Sequence, residues 1–157
     1  MTESAFWQGK AVTVTGSTGF LGKHLVSRLE AAGAQVFTPS HALYDLTTVK
    51  GVEGMFLEQL KADVCFHLAA VVGGIGANSC APADFYYLNT LMNTLVLEYA
   101  SWLAKVGKFI AIGSVCAYPK FTPVPFREAN LWLGYPEETK AAYGISKRGL
   151  LAHCQAL

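Results

Sequence analysis

Charge is scarce in this chain of 157 residues, and no stretch carries a block of one sign. Charged residues make up 15% of the sequence, and the formal net charge is only +1. Nucleic acids and anionic membrane surfaces are bound through basic patches, so neither partner is indicated. No apolar run has the length of a membrane span, and the N-terminus lacks the apolar stretch of a secretory leader. We therefore expect a cytoplasmic protein.

Cysteines are few and unclustered. The spacing of Cys65, Cys80, Cys116 and Cys154 includes no CxxC pair, and the four histidines do not extend it to a ligand cluster. A zinc site is therefore not indicated. Cys65 stands in an apolar, strand-like run, which predicts a reduced core residue.

Apolar residues, by contrast, make up 52% of a chain that has one domain's length. β-Branched runs alternate with stretches of helical periodicity, a pattern typical of a doubly wound α/β fold with a parallel sheet. The apolar residues of the long helix cover more than one face, which predicts a second partner for it. The predicted strands span 11–15, 35–38, 63–68 and 108–113, the predicted helices 20–32, 47–60, 82–105 and 140–157, and an irregular, proline-rich loop spans 119–139.

A glycine-rich turn joins the first strand to the first predicted helix. Gly16 would allow the tight turn, Gly19 would let the backbone approach a pyrophosphate, and Gly22 would allow close packing. A diphosphate would lie at the helix N-terminus, where free N–H groups favour anions. The alternative is a plain glycine-rich turn. The predicted cofactor contacts here are Gly16, Ser17, Thr18, Gly19, Phe20, Leu21 and Gly22.

The end of the second strand has no acidic residue to hold the ribose hydroxyls of NAD, and no arginine for a 2′-phosphate. Hydroxyl and imidazole groups at Ser17, Thr18, Ser40 and His41 could bind a phosphate, so NADP is predicted, with NAD left open. Asp45 and Leu46 are placed to meet the adenine. Alternatively, Asp45 only serves the N-terminus of the next helix.

Ser114, Tyr143 and Lys147 form a set suited to hydride-transfer chemistry. Tyr143 and Lys147 lie one helical turn apart, so the ammonium can lower the pKa of the phenol and hold a nicotinamide ribose. Tyr143 would exchange a proton with a carbonyl oxygen that Ser114 holds by a hydrogen bond. A YxxxK pair on a helix surface is the alternative.

Cys116 is the less ordinary neighbour of Ser114, because a thiol can abstract a proton from carbon beside a carbonyl. Its alternative is a small buried cysteine. The glycines of the segment 71–78 would let backbone approach a ligand, and Asn78 could donate and accept hydrogen bonds; the alternative is a flexible loop. Asn89 is predicted to brace a neighbouring backbone, and His67 to be a core or cofactor-proximal residue.

These residues lie in longer strings that resemble the extended short-chain dehydrogenase/reductases of the NAD-dependent epimerase/dehydratase family, in particular those of the GDP-L-fucose synthase type. The resemblance implies a Rossmann fold, cofactor contacts at Leu68, Ala69 and Ala70, and substrate contacts at Gly74, Asn78 and Ser114. The strings are His67-Leu68-Ala69-Ala70, VGGIGAN at 72–78, Pro82-Ala83-Asp84-Phe85, GSVCAYPK at 113–120 and the Tyr143/Lys147 pair.

The resemblance also implies a reaction and its partners. Cys116 would exchange protons beside the 4-keto group of a GDP-sugar, and Tyr143 would protonate the oxygen as NADPH reduces the ketone. A homodimer would form through helices 82–105 and 140–157. The similarity covers half of the family's length, so residues 1–157 are expected to form an incomplete NAD(P)-binding domain with little turnover. The alternatives are another NAD-dependent nucleotide-sugar epimerase or dehydratase, and a non-catalytic dinucleotide-binding module.

Overall fold

The computed structural model describes the backbone of residues 3–157 and the side chains of residues 5–157, in two compact units. The described part of the first unit comprises residues 3–70 and 95–112. The second unit comprises residues 71–94 and 113–157. The glycine-rich turn belongs to the first unit, and Ser114, Tyr143 and Lys147 belong to the second.

A four-stranded parallel sheet is the centre of the first unit, which confirms the predicted α/β class. Its strand order is β2-β1-β3-β4. β4 lies at one edge and stops two residues before the predicted end, because its pairing with β3 finishes where His67 faces Ala111. The strands are β1 (Ala11–Thr15), β2 (Gln35–Phe37), β3 (Val64–His67) and β4 (Lys108–Ala111).

Three helices lie entirely within the first unit and connect these strands or precede them: α1 (Glu3–Trp7), α2 (Phe20–Ala31) and α3 (Val49–Glu58). The sequence did not predict α1. α2 ends one residue before its predicted end, and Gly33 follows its C-cap as predicted; the φ of +89° at Gly33 lets Ala34 donate to the carbonyl of Leu29 at 3.0 Å in a Schellman motif. α3 starts two residues later than predicted, because Thr48 serves as its N-cap and accepts from Gly51 N–H at 3.1 Å.

The core of this unit forms where β1 and β3 are covered by α2. Val12, Val14, Leu29 and Val64 form a buried cluster with partly buried apolar neighbours around it. Cys65 in β3 is fully buried and free, as predicted. Burial raises the pKa of its thiol to about 12, so this cysteine remains protonated at neutral pH.

The second unit contains α4 (Ile75–Cys80), residues 82–94 of α5 (Pro82–Trp102), and α6 (Ala141–Ala156). α4 was not predicted. α5 ends three residues earlier than predicted, and Lys105 just beyond it has a φ of +48°, which is incompatible with helix continuation.

The proline-rich segment 119–139 contains no helix longer than three residues, which confirms the predicted irregular loop. It holds 3₁₀ helices at Glu128–Asn130 and Glu138–Lys140 and an antiparallel bridge between Pro119 and Pro136. Within residues 3–157, no helix combines the length and apolarity that crossing a bilayer requires.

Candidate active site

The glycine-rich turn of the first unit needs two of its glycines for its own backbone geometry. Gly16 follows β1 with a φ of +68°, and a Cβ there would lie 2.8 Å from the amide nitrogen of Ala69. A Cβ on Gly22 would overlap the carbonyl oxygen of Gly16 and lie 2.7 Å from Ser17 Cα. The turn is therefore folded back against its own helix at a distance that only glycine allows.

The start of α2 suits the diphosphate of a dinucleotide. Gly19 is the N-cap residue. The first N–H groups of a helix have no intrahelical partner, and here no side chain caps them. No acidic residue stands in the first turn to compete with an anion. Phe20 and Leu21 are exposed, Phe20 to 88%, and so are available to a ligand at this terminus. These features fit the predicted cofactor contact.

The residues after β3 lie beside this turn in the same unit. The Ala69 N–H donates to Thr15 Oγ1 at 3.2 Å, and the Leu68 N–H donates to the Thr15 carbonyl at 3.3 Å. Thr15 Oγ1 also shares a 2.9 Å hydrogen bond with Nδ1 of the fully buried His67. His67 is thus a core residue with a hydrogen-bond partner, as predicted. The predicted contacts at 16–22 and 68–70 are brought together.

The predicted adenine contacts have structural roles of their own. The Asp45 carboxylate accepts from the Thr47 N–H at 2.9 Å and from the Thr47 hydroxyl at 2.6 Å. The Thr47 hydroxyl, more than any other group, lowers the pKa of Asp45. The Leu46 side chain is buried within the protein, while His41 is exposed. These contacts agree with the alternative interpretation of Asp45, in which its carboxylate serves the N-terminus of α3.

In the second unit, Ser114 starts a single 3₁₀ turn, Val115–Ala117, that presents Cys116. Ser114 Oγ accepts from the Cys116 N–H at 3.2 Å, and the Ala117 N–H donates to the Ser114 carbonyl at 3.0 Å. Such a cap fixes the positions of the hydroxyl and the thiol relative to each other. Cys116 is half-buried and free.

Tyr143 and Lys147 lie one turn apart on α6, as predicted. Lys147 Nζ is 5.8 Å from the centroid of the Tyr143 ring, so the ammonium lies over the ring face. Lys147 is only 5% exposed, and burial lowers the pKa of its amine. The same residue pair that the sequence predicts is therefore present, in a partly desolvated setting.

The predicted lowering of the Tyr143 pKa is wrong for this structure. Burial, the largest cause, raises the pKa of the phenol, and the Cys116 thiol adds to the rise through its negative form. The Ser114 hydroxyl acts in the opposite direction through a hydrogen bond. Desolvation and the charge on Cys116 together outweigh the hydrogen bond of Ser114, which favours the tyrosinate. The same interactions show that Ser114, Cys116 and Tyr143 are close neighbours.

The segment after residue 70 is more ordered than the flexible loop that was the alternative interpretation of its sequence. Gly74 caps α4, and the Asn78 amide donates to the carbonyls of Gly73 and Gly74 at 3.0 and 3.1 Å. Asn78 is 4% exposed, and its Oδ1 is a buried acceptor without a partner among the described residues. Asn89 is paired with both backbone groups of Val71, which confirms its bracing role. α4 consists mostly of small residues, so its sequence shows no periodic apolar pattern from which the helix could be predicted.

The two units thus have the features of a dinucleotide-binding α/β protein that carries a Ser–Tyr–Lys set. The sequence matches the NAD dependent epimerase/dehydratase family over residues 12–157, and the chain belongs to that family.

Among the residues that the structure describes, no group of three His, Cys, Asp or Glu side chains could hold a metal ion.

Two curated relatives of the chain are both named GDP-L-fucose synthases. A probable GDP-L-fucose synthase 1 of Oryza sativa subsp. japonica is 38% identical over 150 residues, which cover 95% of this chain and 45% of that protein. A GDP-L-fucose synthase of Sinorhizobium fredii is 36% identical, with 94% and 46% covered. The chain therefore spans less than half the length of these relatives.

Solved structures show the same fold. A GDP-mannoheptose C4 reductase from Campylobacter jejuni with NADP bound has a TM-score of 0.87 at 26% identity, covering 96% of this chain and 47% of that one. A GDP-L-fucose synthetase from Naegleria fowleri bound to NADP has a TM-score of 0.81 at 28% identity, covering 95% and 44%. Both are described with NADP.

Proposed function

We propose that residues 1–157 are the NAD(P)-binding and proton-transfer part of a nucleotide-sugar epimerase/reductase that acts on a GDP-4-keto-6-deoxy sugar. The observation that carries the proposal is the grouping of Ser114, Cys116 and Tyr143 in one unit. Ser114 and Cys116 both shift the pKa of Tyr143, and Ser114 Oγ accepts a hydrogen bond from the Cys116 N–H. A structural cysteine and a surface tyrosine would not require this grouping. The relatives named GDP-L-fucose synthase support the substrate class.

The raised pKa of Tyr143 suits a reduction. Its phenol stays protonated at neutral pH and can donate a proton to the oxygen of a ketone as that oxygen gains charge. Ser114 would hydrogen-bond the same oxygen, and the Lys147 ammonium would bind the ribose of the cofactor. Bound NADPH supplies the hydride. Tyr143 is therefore the acid of the proposed reaction.

Cys116 is the base of the proposed epimerisation. It would remove a proton from a carbon beside the 4-keto group, and inversion also requires a second acid that delivers a proton to the opposite face of that carbon. Negative charge on Cys116 raises the pKa of Tyr143, so the phenol stays protonated beside it. One acid and one base are therefore maintained side by side. Gly74, with open space at its Cβ position, and the unpartnered Oδ1 of Asn78 are the proposed substrate contacts.

NADP is the proposed cofactor, held by the turn 16–22 and the segment 68–70. The NADP-bound structures with this fold support the choice. No arginine stands directly after β2, so Ser17, Thr18, Ser40 or His41 would have to bind the 2′-phosphate. His41 is exposed and available for that contact.

We propose further that the protein is a cytoplasmic homodimer through α5 and α6. In the second unit, Tyr86 and Tyr87 of α5 and Leu151 of α6 expose apolar surface that a second copy would cover. Because the chain spans less than half the length of its relatives, we expect little turnover from residues 1–157 alone. A non-catalytic dinucleotide-binding module remains the second candidate, since that length difference equally supports it.

Titration of the 157-residue chain with NADPH and NADH, followed by fluorescence, tests the cofactor proposal. We expect NADPH to bind more tightly. Gly22→Ala should weaken NADPH binding roughly tenfold or more, about 1.4 kcal/mol, because its Cβ overlaps the backbone of the turn. Gly149→Ala is the matched control, since a Cβ there has nothing within 4 Å and it also lies in a helix.

The outcomes separate the candidates. Binding that is lost in Gly22→Ala and kept in Gly149→Ala would support a working dinucleotide site. Equal binding by all three proteins would contradict the assignment of the site to this turn. Absence of binding by the parent would contradict both the reductase and the dinucleotide-binding module for this chain.

A further inference from the structure

α6 touches the turn that carries Cys116 through its own backbone. Gly144, next to Tyr143, is buried, and a Cβ built on it would overlap the carbonyl oxygen of Cys116. That Cβ would also lie 3.0 Å from Cys116 C and 3.4 Å from Ala117 Cα. No residue larger than glycine fits here unless the helix or the turn moves.

One helical turn further, Arg148 holds the next carbonyl. Its Nε donates to the Ala117 carbonyl at 2.6 Å, a short charge-assisted hydrogen bond. The guanidinium carbon lies 5.8 Å from the centroid of the Trp132 ring. Arg148 is only 8% exposed, and its Nη2 is buried without a hydrogen-bond partner among the described residues.

Burying this arginine is costly, and the cost is not offset by a carboxylate at hydrogen-bond distance in the described contacts. Buried arginines are rare unless paired, and desolvation lowers the pKa of this one. The bond does not form within α6, because its acceptor belongs to the Val115–Ala117 turn. What the contact does is join α6 to the residues that present the thiol.

We propose that Arg148, together with Gly144, is a positioning residue that holds Cys116 and Ser114 in register with Tyr143. Gly144 and Arg148 are spaced by four, as are Tyr143 and Lys147, and each follows its counterpart by one residue. Helix α6 thus presents the acid, Tyr143. Its residues Gly144 and Arg148 contact two successive carbonyls of the turn that presents the base, Cys116. The chemical roles of Tyr143 and Cys116 rest on the proposed function, whereas the positioning itself does not.

The rate of Cys116 alkylation by iodoacetamide, resolved by peptide mass spectrometry, reports this positioning without cofactor or substrate. Arg148→Met removes the donor and leaves the Ala117 carbonyl unpaired, so the turn should open more often. We expect the Cys116 rate to rise roughly fivefold or more. Arg148→Lys keeps a donor on an unbranched stem and should restore a rate close to that of the parent.

Two internal controls separate positioning from general loosening. Arg127→Met makes the same substitution at an exposed arginine of the same unit and should leave the Cys116 rate unchanged. The fully buried Cys65 reports opening of the sheet, and its rate should stay at the parental value in every variant. An unchanged Cys116 rate in Arg148→Met, or an equal rise at Cys65, would overturn the proposal.

If Arg148→Met does not fold, a glycine pair decides the question. Gly144→Ala must push the turn away and should raise the Cys116 rate, whereas Gly149→Ala has open space on the same helix and should not. Equal rates in the two alanine variants would overturn the proposal. Failure of NADPH to bind would contradict the proposed function and would leave these thiol rates unaffected, so the two failures are distinguishable.

Discussion

Burial decides the protonation of the side chains that matter most here. An ammonium on Lys147 and a phenolate on Tyr143 would stabilise each other, yet burial raises the pKa of the phenol and lowers that of the amine. Both shifts favour the neutral forms, which is the expected direction for desolvated groups. Tyr143, the proposed proton donor, is therefore protonated at neutral pH.

Cys65 makes the effect of burial measurable. Its pKa rises from 9.0 to about 12 in the folded chain, so folding favours the neutral thiol. The stabilising contribution is complete below pH 9 and is lost as the pH rises towards 12, where roughly 4 kcal/mol would be gone. In urea unfolding between pH 8 and 10.5, the free energy of unfolding of the parent should fall more steeply with pH than that of Cys65→Ala.

The slopes should differ by at most about 1.4 kcal/mol per pH unit, the value for one proton. Cys80→Ala is the matched control, because Cys80 is exposed and should leave the slope of the parent unchanged. Parallel slopes for the parent and Cys65→Ala would show that the thiol ionises as readily in the folded chain as in the unfolded one.

At the scale of elements, α3 contains two glycines that the sequence alone treats alike. A Cβ on Gly51 would overlap the carbonyl oxygen of Asp45 and lie 2.8 Å from its carbonyl carbon. A Cβ on Gly54 would find only the Tyr44 ring, at 3.7 Å, an ordinary contact. One glycine is therefore required by packing against the loop before the helix, and the other only weakens the helix.

Alanine substitutions should have opposite signs at the two sites. Gly54→Ala should stabilise the chain by about 0.5–1 kcal/mol through helix propensity. Gly51→Ala should destabilise it by roughly 1–3 kcal/mol, as overpacking does. Urea unfolding at neutral pH measures both. Stabilisation by both substitutions would mean that the loop at Asp45 moves aside without loss of stability, so that close packing against Gly51 does not determine the position of the loop.

At the scale of the whole molecule, the proposed dimer predicts a solution mass. Light scattering after size exclusion should give about twice the 16.9 kDa of one chain. Tyr87→Glu places a charge on the exposed face of α5 and should give a monomer, since Tyr87 is 61% exposed. Phe121→Glu is the control, because Phe121 is 89% exposed in the loop and lies on neither helix.

A monomeric parent would contradict the dimer and would leave the exposed tyrosines of α5 without a partner in this proposal. A dimer that persists in Tyr87→Glu and dissociates in Phe121→Glu would move the interface to the proline-rich loop. Either result leaves the cofactor and proton-transfer proposals to their own tests, because neither depends on a second copy.

Local patterns were enough for much of this protein. The alternation of apolar runs predicted the parallel strands, the glycine spacing predicted the turn before α2, and the YxxxK spacing placed Tyr143 and Lys147 one turn apart. These features depend on residues close in the chain and on backbone geometry that glycine or periodicity imposes. Even Gly33 as a helix stop and Asn89 as a backbone brace could be predicted in this way.

The tertiary structure decided what depends on distant contacts. Sequence spacing predicted a lowered pKa for Tyr143, and burial raised it, because desolvation is set by everything packed around the phenol. It gave no sign of α4, whose small residues show no periodicity, nor of the contacts that Gly144 and Arg148 make with residues 116 and 117. The sequence determined which chemical groups are present and on which elements they lie, and packing determined their protonation and register.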